Sequence, residues 1–110
     1  MKKILFLFAI PILLTFCNKE KNGVIMTYQI SHCGDAWHNE PNYENDKAEV
    51  IRKYIKKQGV TVNSIDVSVV QECVGKGSCY ACTCKSCDKA TVNVNASDVA
   101  AMEKLKFVKE

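Results

Sequence analysis

Five cysteines fall within fifteen consecutive residues, Cys73, Cys79, Cys82, Cys84 and Cys87, and a sixth, Cys33, stands forty residues ahead of them. Sulfur at that density restricts a short chain to two kinds of structure: a globule cross-linked by disulfides, or a fold organised around a thiolate-bound metal. The compartment decides between them, because disulfides persist where the surroundings are oxidising. The chain has 110 residues, room for one domain. A core of that size is near the limit at which packing alone sustains folding, so external staples are expected.

The N-terminus speaks to the compartment. Met1-Lys2-Lys3 is a short positive segment, and Ile4 to Phe16 is a run of 13 uncharged, almost wholly apolar residues. That is the pattern of a secretory signal. As a helix the run rises only about 20 Å, short of the roughly 30 Å hydrocarbon layer, and Pro11 weakens a span further. Polarity then changes abruptly at Cys17-Asn18-Lys19-Glu20-Lys21-Asn22-Gly23. Leu14-Thr15-Phe16-Cys17 resembles the lipobox of bacterial lipoproteins, with an aliphatic residue three before the cysteine; Phe16 stands where that family has Gly, Ala or Ser. The resemblance implies that residues 1–16 are a cleaved signal peptide and that Cys17 is acylated on sulfur and amine with palmitate-type chains. Residues 17–23 are then a tether and residues 24–110 a single domain. It also implies a location in the cell envelope, anchored by lipid to a membrane facing the periplasm or the cell exterior. An uncleaved signal anchor with Cys17 as an ordinary thiol is the alternative.

Charge and motifs remove several function classes. The formal net charge of +3 includes Lys2 and Lys3; without them 13 basic residues face 12 acidic ones, so no basic field for nucleic acid remains. No Gly-rich phosphate loop, Ser-His-Asp order or metalloprotease motif is present, and no cofactor or enzymatic activity is expected. Beyond the membrane itself, the protein partner is unspecified.

Periodicity supplies the elements. Val24, Met26, Tyr28 and Ile30 alternate with more polar neighbours and predict a strand. Cys33 to Asn42 holds Gly34, Asp35, Asn39 and Pro41 and reads as a loop. From Glu44 the spacing of Val50, Ile51, Tyr54 and Ile55 predicts a helix, acidic early and basic late, closed by Gly59. Val60 to Gln71 predicts a second strand and Ala90 to Asn95 a third, antiparallel to it, with the cysteine-rich loop between them. Ser97 is placed as the cap of a short helix through about Leu105, and Leu105 to Val108 either finishes that helix or adds an edge strand. The order is β-α-β-β-α(-β), which predicts an α+β, ferredoxin-like sandwich with two helices on one face of an antiparallel sheet.

The order and the last third, a Val-rich strand pair and a Ser97-Asp98 helix leading to Phe107, look like heavy-metal-associated domains. Those domains carry Met-x-Cys-x-x-Cys after the first strand, whereas His32-Cys33-Gly34-Asp35 stands here, so the likeness extends to architecture and not to metal chemistry. Cys33-Gly34-Asp35-Ala36-Trp37 and Cys79-Tyr80-Ala81-Cys82-Thr83-Cys84 also resemble landmarks of small, cysteine-rich lipoproteins of Gram-negative bacteria. That likeness spans most of the domain and brings no activity with it.

Three readings of the sulfurs follow. In an exported domain Cys33, Cys73, Cys79, Cys82, Cys84 and Cys87 form a disulfide framework, with Cys33 expected to reach Cys73 or Cys79. The alternative is a metal site, because Cys79-x-x-Cys82 and Cys84-x-x-Cys87 each have thiolate-knuckle spacing suited to zinc or copper, with Cys33 or His38 completing the set. His32 and Asp35 lie beside that set; Asp35 otherwise serves as a turn former bonding nearby backbone. The third is thiol-disulfide exchange at a Cys-x-x-Cys pair, although no helix follows either pair to lower a thiol pKa. Trp37 and Tyr80 are either partner-facing aromatics or, for Trp37, packing over a disulfide. The function expected is a membrane-anchored, disulfide-stabilised domain with a structural or interaction role; envelope metal binding and thiol exchange are the alternatives.

Overall fold

The computed structural model describes residues 23–75 and 79–110. The expected signal, Cys17 and the tether up to Asn22 lie outside the described residues. Four strands and two helices follow one another as β1 (Gly23–Ser31), α1 (Lys47–Lys57), β2 (Val62–Val69), β3 (Lys85–Asn95), α2 (Val99–Lys104) and β4 (Val108–Lys109). The strands form one sheet in the order β2-β3-β1-β4, and each neighbouring pair is antiparallel. It follows that β1 and β2 run parallel with β3 between them, and β3 and β4 run parallel with β1 between them. The protein is a small mixed α+β domain.

Alternation puts Met26 and Ile30 of β1 beside Ala90, Val92 and Val94 of β3, all fully buried. Val50, Ile51 and Ile55 of α1 and Met102 of α2 complete the core on that face. Residues of the opposite parity, among them Ile25, Thr27, Thr91, Asp66 and Ser68, lie on the other face of the sheet.

The helices keep their predicted positions with altered ends. α1 starts at Lys47, three residues later than Glu44, because the Asp46 carboxylate accepts the Glu49 amide at 3.2 Å and so makes Asp46 the N-cap. At its far end the Gly59 amide donates to the Lys56 carbonyl and the Val60 amide to the Ile55 carbonyl. This is a Schellman closure, with Gly59 at φ +88° and Val60 packed back onto the helix it ends.

Two expectations are corrected. Ser97 does not cap α2: it lies inside a 3₁₀ turn, Ala96–Asp98, and the residue before the helix, Asp98, makes no side-chain cap bond. The helix is accordingly only six residues long, and the chain leaves it by the same closure, Lys106 to Glu103 and Phe107 to Met102, to form β4. The third strand also starts at Lys85 rather than Ala90. Its first half, Lys85-Ser86-Cys87-Asp88-Lys89, lacks apolar alternation, yet it is flanked by β1 and by β2, which satisfy its backbone whatever its side chains are.

Candidate functional site

The cysteines gather at one end of the sheet, where β1 finishes, β3 begins and β2 turns away. Backbone bonds hold the segments side by side: the His32 amide donates to the Cys84 carbonyl at 2.9 Å, the Cys33 amide to the Cys82 carbonyl at 3.1 Å, and the Val70 amide to the Cys87 carbonyl at 2.8 Å. Disulfides cross-link the same segments as Cys33–Cys82, Cys73–Cys87 and Cys79–Cys84, with Cα separations of 4.4, 5.5 and 5.9 Å. All three lie in the range a bridge can span.

The partner of Cys33 is therefore Cys82, neither Cys73 nor Cys79. The reason is register. β1 runs past Ser31 and carries the His32-Cys33 backbone alongside Cys82-Thr83-Cys84, so Cys82 is the sulfur it meets. Cys73 follows the end of β2, on the far side of β3, and is held to Cys87 within β3. The Cys33–Cys82 bridge crosses both others in sequence, while Cys79–Cys84 is nested inside Cys73–Cys87. Neither Cys-x-x-Cys spacing closes on itself: Cys79 and Cys82 have different partners, as do Cys84 and Cys87. With every one of these sulfurs in a bond, neither knuckle presents a thiolate, and among the described residues no group of three or more His, Cys, Asp or Glu is placed to hold a metal ion.

Gly34 is required by the closeness of this contact. A β-carbon there would stand 2.9 Å from the Cys82 carbonyl oxygen and 3.2 Å from the Thr83 Cα. Beside it, Asp35 acts as the hub of the turn. Its carboxylate accepts the Ser31 amide at 2.9 Å, the Ser31 hydroxyl at 2.8 Å and the Tyr28 hydroxyl, while Ser31 Oγ accepts the Gly34 amide at 2.9 Å. Burial, then the hydrogen bond to Asp35, raises the Tyr28 phenol well above its ordinary pKa, so the phenol stays protonated and donating.

His38 is placed by the same turn. Its Nδ1 accepts the Asp35 amide at 3.0 Å, and its ring meets the Tyr43 ring edge to face at 4.7 Å. Asp35 and His38 are thus brought together, one as turn hub and the other on its amide, while Cys33 is spent in a disulfide, so the three do not form a ligand set. His32 Nε2 lies 3.0 Å from the Cys79 carbonyl and so belongs to the clamp. Ser31 and Tyr28, the partners of Asp35, were not singled out in the sequence. A Ser four residues before an Asp at a strand end is the one local signal they leave.

The two flagged aromatics separate completely. Trp37 is 3% exposed, edge-to-face with Tyr28 at 5.2 Å and with Tyr54 at 5.5 Å, so it is core. Tyr80 is 82% exposed on the disulfide-bonded loop, with Val74 also out in solvent. The end of the sheet where β1 finishes therefore carries a cross-linked surface on which Tyr80 is exposed. No family model, curated protein or solved structure matches the chain.

Proposed function

We propose that the protein is a lipid-anchored envelope domain whose role is structural or adhesive to a partner rather than catalytic. The observation that carries this reading is the pairing of all six cysteines beyond Cys17. Three bridges in so small a domain fit an oxidising compartment outside the cytosol. They also account for six of seven cysteines, leaving Cys17 as the one for which the lipobox-like sequence provides a use.

Strand order β2-β3-β1-β4 with crossovers by α1 and α2 supports assignment to the ferredoxin-like sandwiches. Among the described residues no helix is long and apolar enough to cross a membrane, and in this reading the lipid on Cys17 is the attachment. Anchored there, the domain holds the clamped loop with Tyr80 at the end of β1 away from the anchor. In this reading the Cys33–Cys82 and Cys79–Cys84 bridges hold Cys79, Cys82 and Cys84 on either side of Tyr80 before any partner arrives, which lowers the ordering cost of an encounter.

Protein extracted from membranes without chelator tests this by intact mass, free-thiol count and elemental analysis on the same sample. The expected result is loss of residues 1–16, acyl mass on Cys17, no free thiol and no stoichiometric metal. An intact Met1 without lipid removes the anchor. Bound zinc or copper, with the Cys79 to Cys87 thiols protected only while the metal is present, replaces this reading with metal binding.

A further inference from the structure

We propose that the outer edge of β2 pairs with β2 of a second copy, joining two sheets into one of eight strands. The two edges of the sheet are built very differently. β4 is two residues long, Val108-Lys109, with Lys106 shortly before it, a short, basic edge of the kind that resists further pairing. β2 is eight residues long, Val62-Asn63-Ser64-Ile65-Asp66-Val67-Ser68-Val69, with no Lys and no Pro. Among the described residues no strand lies on its outer side. Its backbone bonds to β3 use only one side, so the outward amides and carbonyls form an open ladder about 26 Å long. The register irregularity that protects an edge is confined to its first residues, between Val62 and Ser64. At the other end Val69 is 49% exposed although it continues the apolar parity of Ile65 and Val67.

The sequence of the strand selects its occupant. An antiparallel self-pairing keeps side chains on matching faces only if it is centred on a residue. Centred on Asp66, it opposes two carboxylates; centred on Ile65, it sets Val67 against Asn63 and runs into the irregular start. Centred on Val67, it sets Ile65 against Val69 and Asp66 against Ser68, with Val67 on the two-fold axis. That register buries the exposed Val69 against apolar neighbours and opposes no like charges. Such an isologous contact closes as a dimer.

Sedimentation equilibrium of the full chain in density-matched detergent tests the proposal, with two variants at Ser68 and Asp66, exposed on the open face, and a control on α1. Ser68→Asp places two carboxylate pairs across the two-fold and is expected to weaken dimerisation about tenfold. Adding Asp66→Lys turns both pairs into attractive ones and is expected to restore it. A control, Lys53→Asp on α1, is expected to leave it unchanged. A monomer at every concentration overturns the proposal. So does a dimer indifferent to Ser68→Asp, a loss that Asp66→Lys does not reverse, or association only with a different protein. Failure of this assay leaves the mass and thiol measurements on Cys17 and the bridges untouched, so the two readings stand or fall separately.

Discussion

Gly59 and Lys106 occupy the same position at the ends of α1 and α2, each with a left-handed backbone, φ +88° and +72°. Both helices close by the same pair of bonds, and in each case the next residue, Val60 or Phe107, packs into the core before entering an outer strand. An L side chain in that conformation costs roughly 1 kcal/mol that glycine avoids. Lys106→Gly is therefore expected to stabilise the domain by about 0.5–1 kcal/mol, and Gly59→Ala to destabilise it by about 1 kcal/mol. A domain of this size turns 1 kcal/mol into about 4–8 °C of Tm. Thermal unfolding followed by circular dichroism checks both; equal and same-signed shifts would contradict the shared closure.

The three bridges are expected to differ in worth according to the chain they close. Sequence separations of 49, 14 and 5 residues correspond to about 4, 3 and 2 kcal/mol of lost unfolded-state entropy. Replacing both cysteines of a pair by serine should therefore cost most for Cys33/Cys82 and least for Cys79/Cys84. Because the bridges cross and nest, the costs will not add. Trp37, the single tryptophan, is buried and reports unfolding directly, so guanidinium melts read by its fluorescence give the order. A Cys79/Cys84 variant less stable than the Cys33/Cys82 variant would refute the ranking.

What could be read from the chain follows which forces are local. β1 and α1 announced themselves because one buried face repeats every two or every 3.6 residues, and Gly59 marked an end that only a glycine takes easily. Lys106 adopts the same conformation with no such mark, which left the last turn undecided between helix and strand. The first half of β3 was invisible because its pairing is supplied by two neighbours rather than by its own side chains. The bridge from Cys33 escaped for a related reason. It depends on how far β1 runs past β3, a register that no residue near Cys33 encodes. Asp35 was legible as a turn former, whereas its bond to Tyr28 joins positions on a strand and a turn that come together only in the fold.

Replacing Asp35 by Asn tests the hub that sets the turn. All three donors that converge on the carboxylate point a hydrogen at it, and an amide offers one oxygen and one competing N–H in its place. Asp35→Asn is expected to cost about 1.5–3 kcal/mol, the range for hydrogen bonds to a charged group. It should also lower the Tyr28 pKa part of the way, since burial, the larger cause of its elevation, is unchanged. Tyrosinate absorbance during an alkaline titration separates the two effects. A stability loss with no change in Tyr28 ionisation would mean that the carboxylate does not hold the phenol.

Alkaline stability is expected to depend on Tyr43. Burial, followed by the carboxylates of Asp88, Glu44 and Asp35, pushes its pKa from 10.0 up to about 12. For a group whose folded-state pKa is raised, the native state holds its proton more tightly than the unfolded chain. The associated stability is complete below pH 10 and is lost as pH rises toward 12. Tyr28 adds a loss of the same sign, beginning in the same range. Tyr43→Phe removes one of the two phenols whose pKa is raised while keeping its ring against His38. The unfolding free energy should then fall less steeply between pH 10 and 12 than in the parent. Denaturant melts at closely spaced pH values, with short incubations because alkali also cleaves disulfides, provide the slopes. Parallel slopes in the two proteins would show that the Tyr43 phenol is not the group that titrates.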